Sequence, residues 1–151
     1  MRVLPWFAAL ILVGQLPGQN IETTHYGEGC NPVFAMPVEV RAGLDPAGRI
    51  LTIGVDGFPG CCNTFLVQRL LAFGFSPAQL PVPQFGPGCT LLVEPLFVLI
   101  LPAQQGAEIS FPLPPGLPPF TFHTQGAVHY FTTIGFTHDL AFTDGLRVRL
   151  F

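Results

Sequence analysis

The chain has 151 residues, of which 49% are hydrophobic and only 10% are charged, and it contains 17 glycines and 17 prolines. This length allows one domain with its own core, and the abundant Gly and Pro exclude long helices, because Pro blocks helix interiors and Gly weakens them. The six cationic residues are all arginines, scattered along a chain of net charge −3. A nucleic-acid partner is therefore not expected, since it needs a clustered basic face, and the low charge favours self-association.

Residues 1–18 predict an export signal. Arg2 supplies a short positive region, an apolar run of about a dozen residues follows, and small Gly18 stands at a cleavable position. The alternative is an uncleaved membrane anchor, but spanning a bilayer takes about 20 apolar residues. The sequence thus predicts a signal peptide over 1–18, a single mature domain over 19–151 with no membrane span, and a secreted or cell-surface location.

The four cysteines, Cys30, Cys61, Cys62 and Cys89, all lie in the exported part, where an even number predicts a disulfide framework. Adjacent side chains of an extended segment point to opposite faces. This favours the two pairings in which Cys61 and Cys62 bond to separate partners. A vicinal Cys61–Cys62 bond, which leaves Cys30 to pair with Cys89, is the alternative. A redox couple lacks its Cys-x-x-Cys spacing and zinc lacks its spaced ligands, so no metal or cofactor is predicted.

The first half of the mature chain predicts a hairpin and a long strand. "MPVEVRAG" and "RILTIGVDG" alternate apolar and polar residues and flank the turn "LDPAG", so we expect them to pair. "TFLVQRLLAFGF" predicts a strand with a bulge near Gly74, or alternatively a short helix. The stretch ahead of the hairpin, "QNIETTHYGEGCNP", is polar and rich in turn residues.

The second half opens with "SPAQLPVPQFGPG", which we interpret as a loop because its prolines disfavour helix and central strand. "CTLLVEP" and "LFVLILPA" predict two strands, and the nearly all-apolar second one is expected to be buried on both faces or to face a partner.

Three further segments complete the predicted sheet structure. "GAEISFPLPP" alternates as a strand, the aromatic-rich residues 120–136 supply one strand or two strands broken at Gly126, and "GLRVRLF" closes the chain. The predicted fold is an all-β antiparallel β-sandwich, jelly-roll or Ig-like, of about eight or nine short strands with disulfide staples.

The ordered motifs "YGEGC", "LLAFGFS", "PGCTLLVEP", "LPPFTFHTQ" and "TDGLRVRLF" resemble an uncharacterised secreted β-sandwich domain that recurs in planctomycete-type bacterial proteins. The resemblance covers residues 26–151. The positions that match its pattern are Tyr26, Gly27, Gly29, Cys30, Gly74, Phe75, Ser76, Gly88, Cys89 and Gln125. Asp144 stands where the family has Asn, and Cys61-Cys62 occupies a turn usually rich in Pro and Ala. The resemblance implies fold and location, and it supplies no catalytic residues.

Catalytic patterns are missing from the sequence. There is no Gly-x-Ser-x-Gly elbow, and no spacing singles out two carboxylates for glycoside hydrolysis. His123 and His129, six residues apart, would share one face of an unbroken strand. Gly126 is expected to interrupt that strand, however, and exposed histidines on a sheet need no metal to explain them. We therefore expect no enzyme activity and no catalytic residue.

The aromatic residues suggest a binding face instead. Phe occurs 15 times against two Tyr and one Trp, which favours core and interface packing over sugar binding. The alternating "PFTFHTQ" supplies the candidate binding face Phe120, Phe122, His123 and Gln125. The favoured function is a structural or adhesion protein whose partner is itself or another extracellular protein. A module that binds polysaccharide or another ligand is the alternative.

Overall fold

The computed structural model describes residues 18–30, 38–57, 63–104 and 106–151. They form an all-β fold of ten strands and one short 3-10 helix, Pro83–Phe85. The strands are β1 (Ile21–Tyr26), β2 (Glu39–Leu44), β3 (Ile50–Asp56), β4 (Thr64–Gly74), β5 (Pro77–Pro81), β6 (Thr90–Val93), β7 (Phe97–Leu101), β8 (Ala107–Pro112), β9 (Phe120–Thr132) and β10 (Thr137–Leu150).

The strands form a sandwich of two antiparallel sheets. A five-stranded sheet in the order β1-β10-β9-β4-β7 faces a three-stranded sheet in the order β2-β3-β8, and β5 and β6 form a separate pair. The alternation of the strands places one apolar row from each sheet in the shared core. That core includes Val40, Ile53 and Val55 from the small sheet and Leu71, Val128, Tyr130, Leu146 and Val148 from the large one.

The predicted hairpin is confirmed. β2 pairs with β3 from Glu39↔Asp56 to Leu44↔Leu51. Asp45 closes the turn, because its Oδ1 accepts hydrogen bonds from the backbone N–H groups of Arg49 and Ile50 at 2.6 and 2.7 Å. These two backbone bonds lower the pKa of the Asp45 carboxyl below its ordinary value.

The two longest strands of the large sheet are β9 and β10, and β9 packs closely against the small sheet. β9 runs unbroken through Gly126, so the alternative of two strands broken there is wrong. A Cβ atom at Gly126 would lie 2.7 Å from Val55 Cγ2 and 3.0 Å from Thr143 Cγ2. Glycine therefore lets β9 approach β3 closely at this point instead of ending the strand.

Other details of the strand assignment differ from the sequence prediction. The polar segment Ile21–Tyr26 forms β1 because its backbone pairs with β10, and Pro77–Pro81 forms β5 beside β6 despite its prolines. These two additions raise the strand number to ten. β4 is a strand and not a helix, but its bulge lies between Leu66 and Gln68 and not near Gly74.

One disulfide joins Cys30 to Cys89, with their Cα atoms 5.0 Å apart. The two pairings that the sequence favoured, with Cys61 and Cys62 bonded to Cys30 and Cys89, are therefore wrong. The prediction used only the opposite orientations of adjacent side chains at Cys61 and Cys62. It could not include the tertiary contact that brings Cys30 and Cys89 together. Cys61 and Cys62 themselves lie outside the described residues, as does the predicted signal peptide up to residue 17.

The disulfide connects the large sheet to the β5–β6 pair. Cys30 forms a two-way backbone bridge with Phe142 of β10, at 2.9 and 2.7 Å, while Cys89 directly precedes β6. The β5–β6 pair is thus held against the side of the large sheet that faces away from the small sheet. None of the described residues forms a helix with the length and hydrophobicity that a membrane crossing requires.

Candidate functional site at an apolar sheet edge

The strand β7 lies at one edge of the large sheet. It pairs with β4 from Arg69↔Leu101 to Phe73↔Phe97, and within the described parts of the chain no strand pairs with its other side. An edge strand presents unpaired backbone N–H and C=O groups, which can pair with another chain. β7 is therefore a site where a further strand can add to the sheet.

The side chains of β7 are apolar and largely exposed. Its sequence is FVLIL, and the exposed fractions are 50% for Phe97, 52% for Val98 and 70% for Ile100. The sequence had predicted a strand buried on both faces or facing a partner. Burial on both faces is wrong, because β7 is the last strand of the sheet and only Leu101 is fully buried.

The other three edges of the two main sheets carry charge. In β1, Glu22 lies 3.6 Å from Arg149, and β2 carries Glu39 and Arg41. β8 carries Glu108. Charged residues on an edge strand oppose pairing with another chain, since pairing would desolvate them. β7 is the one main-sheet edge among the described residues that lacks this protection.

Apolar side chains lie at two places on the outer face of the large sheet, one beside β7 and one at the far end of β4, with Gln68 and His129 between them. Val98 and Ile100 lie opposite Ala72 and Leu70 of β4. Farther along, Phe65 lies opposite Phe131 of β9. We call Phe65, Leu70, Val98, Ile100 and Phe131 the outer patch. Phe65, Val98 and Ile100 are exposed, whereas Leu70 and Phe131 are half-buried. Exposed apolar surface is typical of an interaction site.

A histidine pair borders the outer patch. His129 Nε2 lies 3.1 Å from His138 Nδ1, and the ring of His138 lies 4.9 Å from that of Phe131. Partial burial, and then the neighbouring His138, lower the pKa of His129 below its ordinary value. The lowered pKa favours the uncharged form of His129, which suits contact with another apolar surface.

The candidate binding face from the sequence divides between two sides of β9. Phe120 and Phe122 point between the two sheets, where they line a cleft. His123 and Gln125, at odd positions, lie on the opposite side and are both buried. The structure brings the two aromatic residues together and separates them from the two polar ones, as the alternation of a strand requires.

Gln125 and His123 lie in the interior on that opposite side. The Gln125 amide donates to the backbone carbonyls of Thr90 and Thr143 at 3.1 and 2.9 Å. His123 packs edge-on against the ring of Tyr26 at 5.4 Å. Burial, and then the nearby Arg147, lower the pKa of His123 below its ordinary value. These residues have structural partners, and they do not form an exposed binding surface.

The sequence did not lead us to predict a binding site at β7, although it contains a pattern that points to one. LFVLIL is an uncharged apolar run bounded by Pro95 and Pro102. Such a run predicts a strand that is prone to pairing with another chain. Its position at an edge depends on strand order, and that order is not visible in the run itself.

Within the described residues, no group of three or more His, Cys, Asp or Glu side chains is placed to hold a metal ion. No protein-family model, curated protein or solved structure matches this chain. The resemblance to the planctomycete-type domain therefore stays a prediction.

Proposed function

We propose that the protein is a secreted, non-enzymatic structural or assembly subunit that associates with a second copy of itself through β7. The observation that carries this proposal is the exposed, uncharged edge strand Phe97–Leu101. The contrast with β1 supports it, since β1 ends the same sheet but carries the pair Glu22–Arg149 and an exposed polar row. The charged residues of β1 therefore oppose pairing with another chain, whereas β7 carries no charged residue that would do so.

Two β7 strands can pair antiparallel about a two-fold axis at Leu99. Val98 of one copy then lies opposite Ile100 of the second copy on the outer side, and the two five-stranded sheets become one continuous sheet. A two-fold contact of this kind uses the same surface on both copies and closes the assembly at two subunits. The two outer patches would adjoin, so apolar contact adds to the backbone hydrogen bonds.

The proposed location rests on the cysteines. The Cys30–Cys89 bond supports an oxidising compartment, because disulfides persist outside the cytosol and are rare within it. The predicted signal peptide supports the same location. Sequencing the N-terminus of the exported protein tests both, and cleavage after Gly18 leaves Gln19 as the first residue.

Sedimentation velocity across a wide range of concentrations tests the association. We expect the wild-type protein to form dimers, and Ile100→Lys or Val98→Lys to shift it to monomers, because each places a charge on the paired strand. The matched control is Ile134→Lys. Ile134 is as exposed as Ile100, at 71% against 70%, but it lies in the β9–β10 turn. A wild-type protein that stays monomeric at all concentrations would refute the proposal, and so would equal behaviour of all three variants.

A further inference from the structure

A cleft opens between the two sheets where β4 ends and β7 begins. Its volume is about 260 Å³. Phe73, Phe97 and Phe122 of the large sheet form one wall, and Leu51, Ile53 and Phe111 of the small sheet form the other. At the mouth lie Phe75 and Leu96, both of which are exposed to solvent.

The chemistry of the walls is uniform. Every described residue that lines the cleft is Phe, Leu, Ile or Gly, so none of these side chains can donate or accept a hydrogen bond. A sugar hydroxyl or a charged group placed in the cleft would lose its water and find no partner among these side chains, which disfavours its binding. The cleft therefore selects hydrocarbon and rejects polar groups.

The size of the cleft sets what can enter. An apolar cavity of about 150 Å³ stays dry and holds benzene. The volume of about 260 Å³ has room for a larger group, such as two fused aromatic rings or a short alkyl chain. Each buried methylene group removes apolar surface from water and so favours binding. A ligand of this size can therefore bind by apolar contact alone.

The walls are held in place by contacts between their own rings. Phe73 stacks on Phe97 with ring centroids 4.9 Å apart and meets Phe111 of the opposite sheet edge-on at 6.0 Å. Phe120 stacks on Phe122 at 5.9 Å. Rings that are already fixed lose little side-chain entropy when a ligand arrives, which favours binding.

We propose that this cleft binds an uncharged hydrocarbon group, either a small fused-ring system or a short alkyl chain. The group lies between the sheets, and any polar end of the same molecule stays in water at the mouth beside Phe75 and Leu96. This function is additional to association through β7. Phe97 lines the cleft from the inner side of β7, whereas Val98 and Ile100 form part of the outer patch, so different substitutions affect the two sites.

Fluorescence titration of the full-length protein with N-phenyl-1-naphthylamine, an uncharged probe that carries a fused two-ring naphthalene group and a phenyl ring, tests the proposal. We expect saturable binding of one probe per chain, displaced by 1-decanol but not by glucose. Leu113→Trp, which fills the cleft from its half-buried rim, should raise the Kd at least tenfold. Leu96→Asp, at the exposed mouth, should raise the Kd about threefold. This second variant keeps the test valid if Leu113→Trp does not fold.

Ile100→Lys is the matched control, because it alters the outer patch and leaves the cleft lining unchanged. We expect it to bind the probe as the wild type does, even if it no longer associates. Lack of saturable binding by the wild type would overturn the proposal. Unchanged affinity in both cleft variants would also overturn it. Loss of binding in Ile100→Lys would overturn it as well, because that result would place the probe on the outer patch.

Discussion

Gln125 of β9 accepts a hydrogen bond from the backbone N–H of Leu92 in β6 at 2.8 Å, and both groups are buried. Its amide nitrogen donates to the carbonyls of Thr90 and Thr143. One side chain thus joins the β5–β6 pair to β9 and to its neighbour β10 in the large sheet. Tyr26 adds a second link, since its hydroxyl donates to the Leu92 carbonyl at 2.9 Å.

Replacing Gln125 by Leu should destabilise the protein by about 3 kcal/mol, because two buried backbone groups and the partly buried Thr90 carbonyl lose their partner. Each loss at a buried group costs about 1–3 kcal/mol. Urea denaturation measures the change in the free energy of unfolding. The control is Gln79→Leu, at an exposed position of β5, for which we expect a change within about 0.5 kcal/mol. Equal effects of the two variants would contradict this account of Gln125.

Removing the Cys30–Cys89 bond should lower stability by about 4 kcal/mol on the chain-entropy model, because the bond closes a loop with a sequence separation of 59. The double variant Cys30→Ser, Cys89→Ser measures this in the same denaturation experiment. Peptide mapping of the unreduced wild type is the check on connectivity. A peptide that links Cys30 to Cys61 or Cys62 would contradict the bond seen here.

Gly126→Ala should destabilise the protein by about 1–3 kcal/mol, as overpacking does, because the new methyl group would lie 2.7 Å from Val55 and force the sheets apart. Gly43→Ala is the matched control. It also lies in a strand, and nothing lies within 4 Å of the added Cβ. Thermal unfolding should separate the two variants, and similar melting temperatures would argue against close contact at Gly126.

Stability should fall as the pH is lowered through the titration range of His123. The folded-state pKa of His123 lies below the ordinary value of 6.5, because of burial and the nearby Arg147. Below pH 6.5 the unfolded chain therefore binds a proton that the folded chain does not, so this contribution is present above pH 6.5 and is lost as pH falls toward the folded pKa.

His123→Phe tests that contribution, because it removes the titrating group while an aromatic ring still faces Tyr26. We expect the free energy of unfolding of the variant to fall less between about pH 7.5 and about pH 5 than that of the wild type. His129, whose pKa is also lowered, keeps its own share of the pH dependence in both proteins. Parallel stability profiles would refute a role for His123.

The fold class could be predicted because it depends on local patterns. The alternation around Val40 and Ile53 and the Asp45 turn specify a hairpin with one buried face whatever surrounds it. The high Gly and Pro content excluded long helices, because each of these residues disfavours a helix at its own position whatever surrounds it. Alternation also separates Phe120 and Phe122 from His123 and Gln125, so the division of that candidate face was present in the sequence.

The sequence by itself determined an all-β chain with an apolar core, a hairpin with one apolar face and a strongly apolar strand at Phe97–Leu101. Only the tertiary structure decided which strands lie at the edges, that Cys30 meets Cys89, and that β1 and β5 form at all. The physical reason is that these features depend on backbone pairing and contacts between distant segments, whereas side-chain patterns report only on the faces of each strand. The open edge at β7 and the cleft beside it both arise from that long-range arrangement.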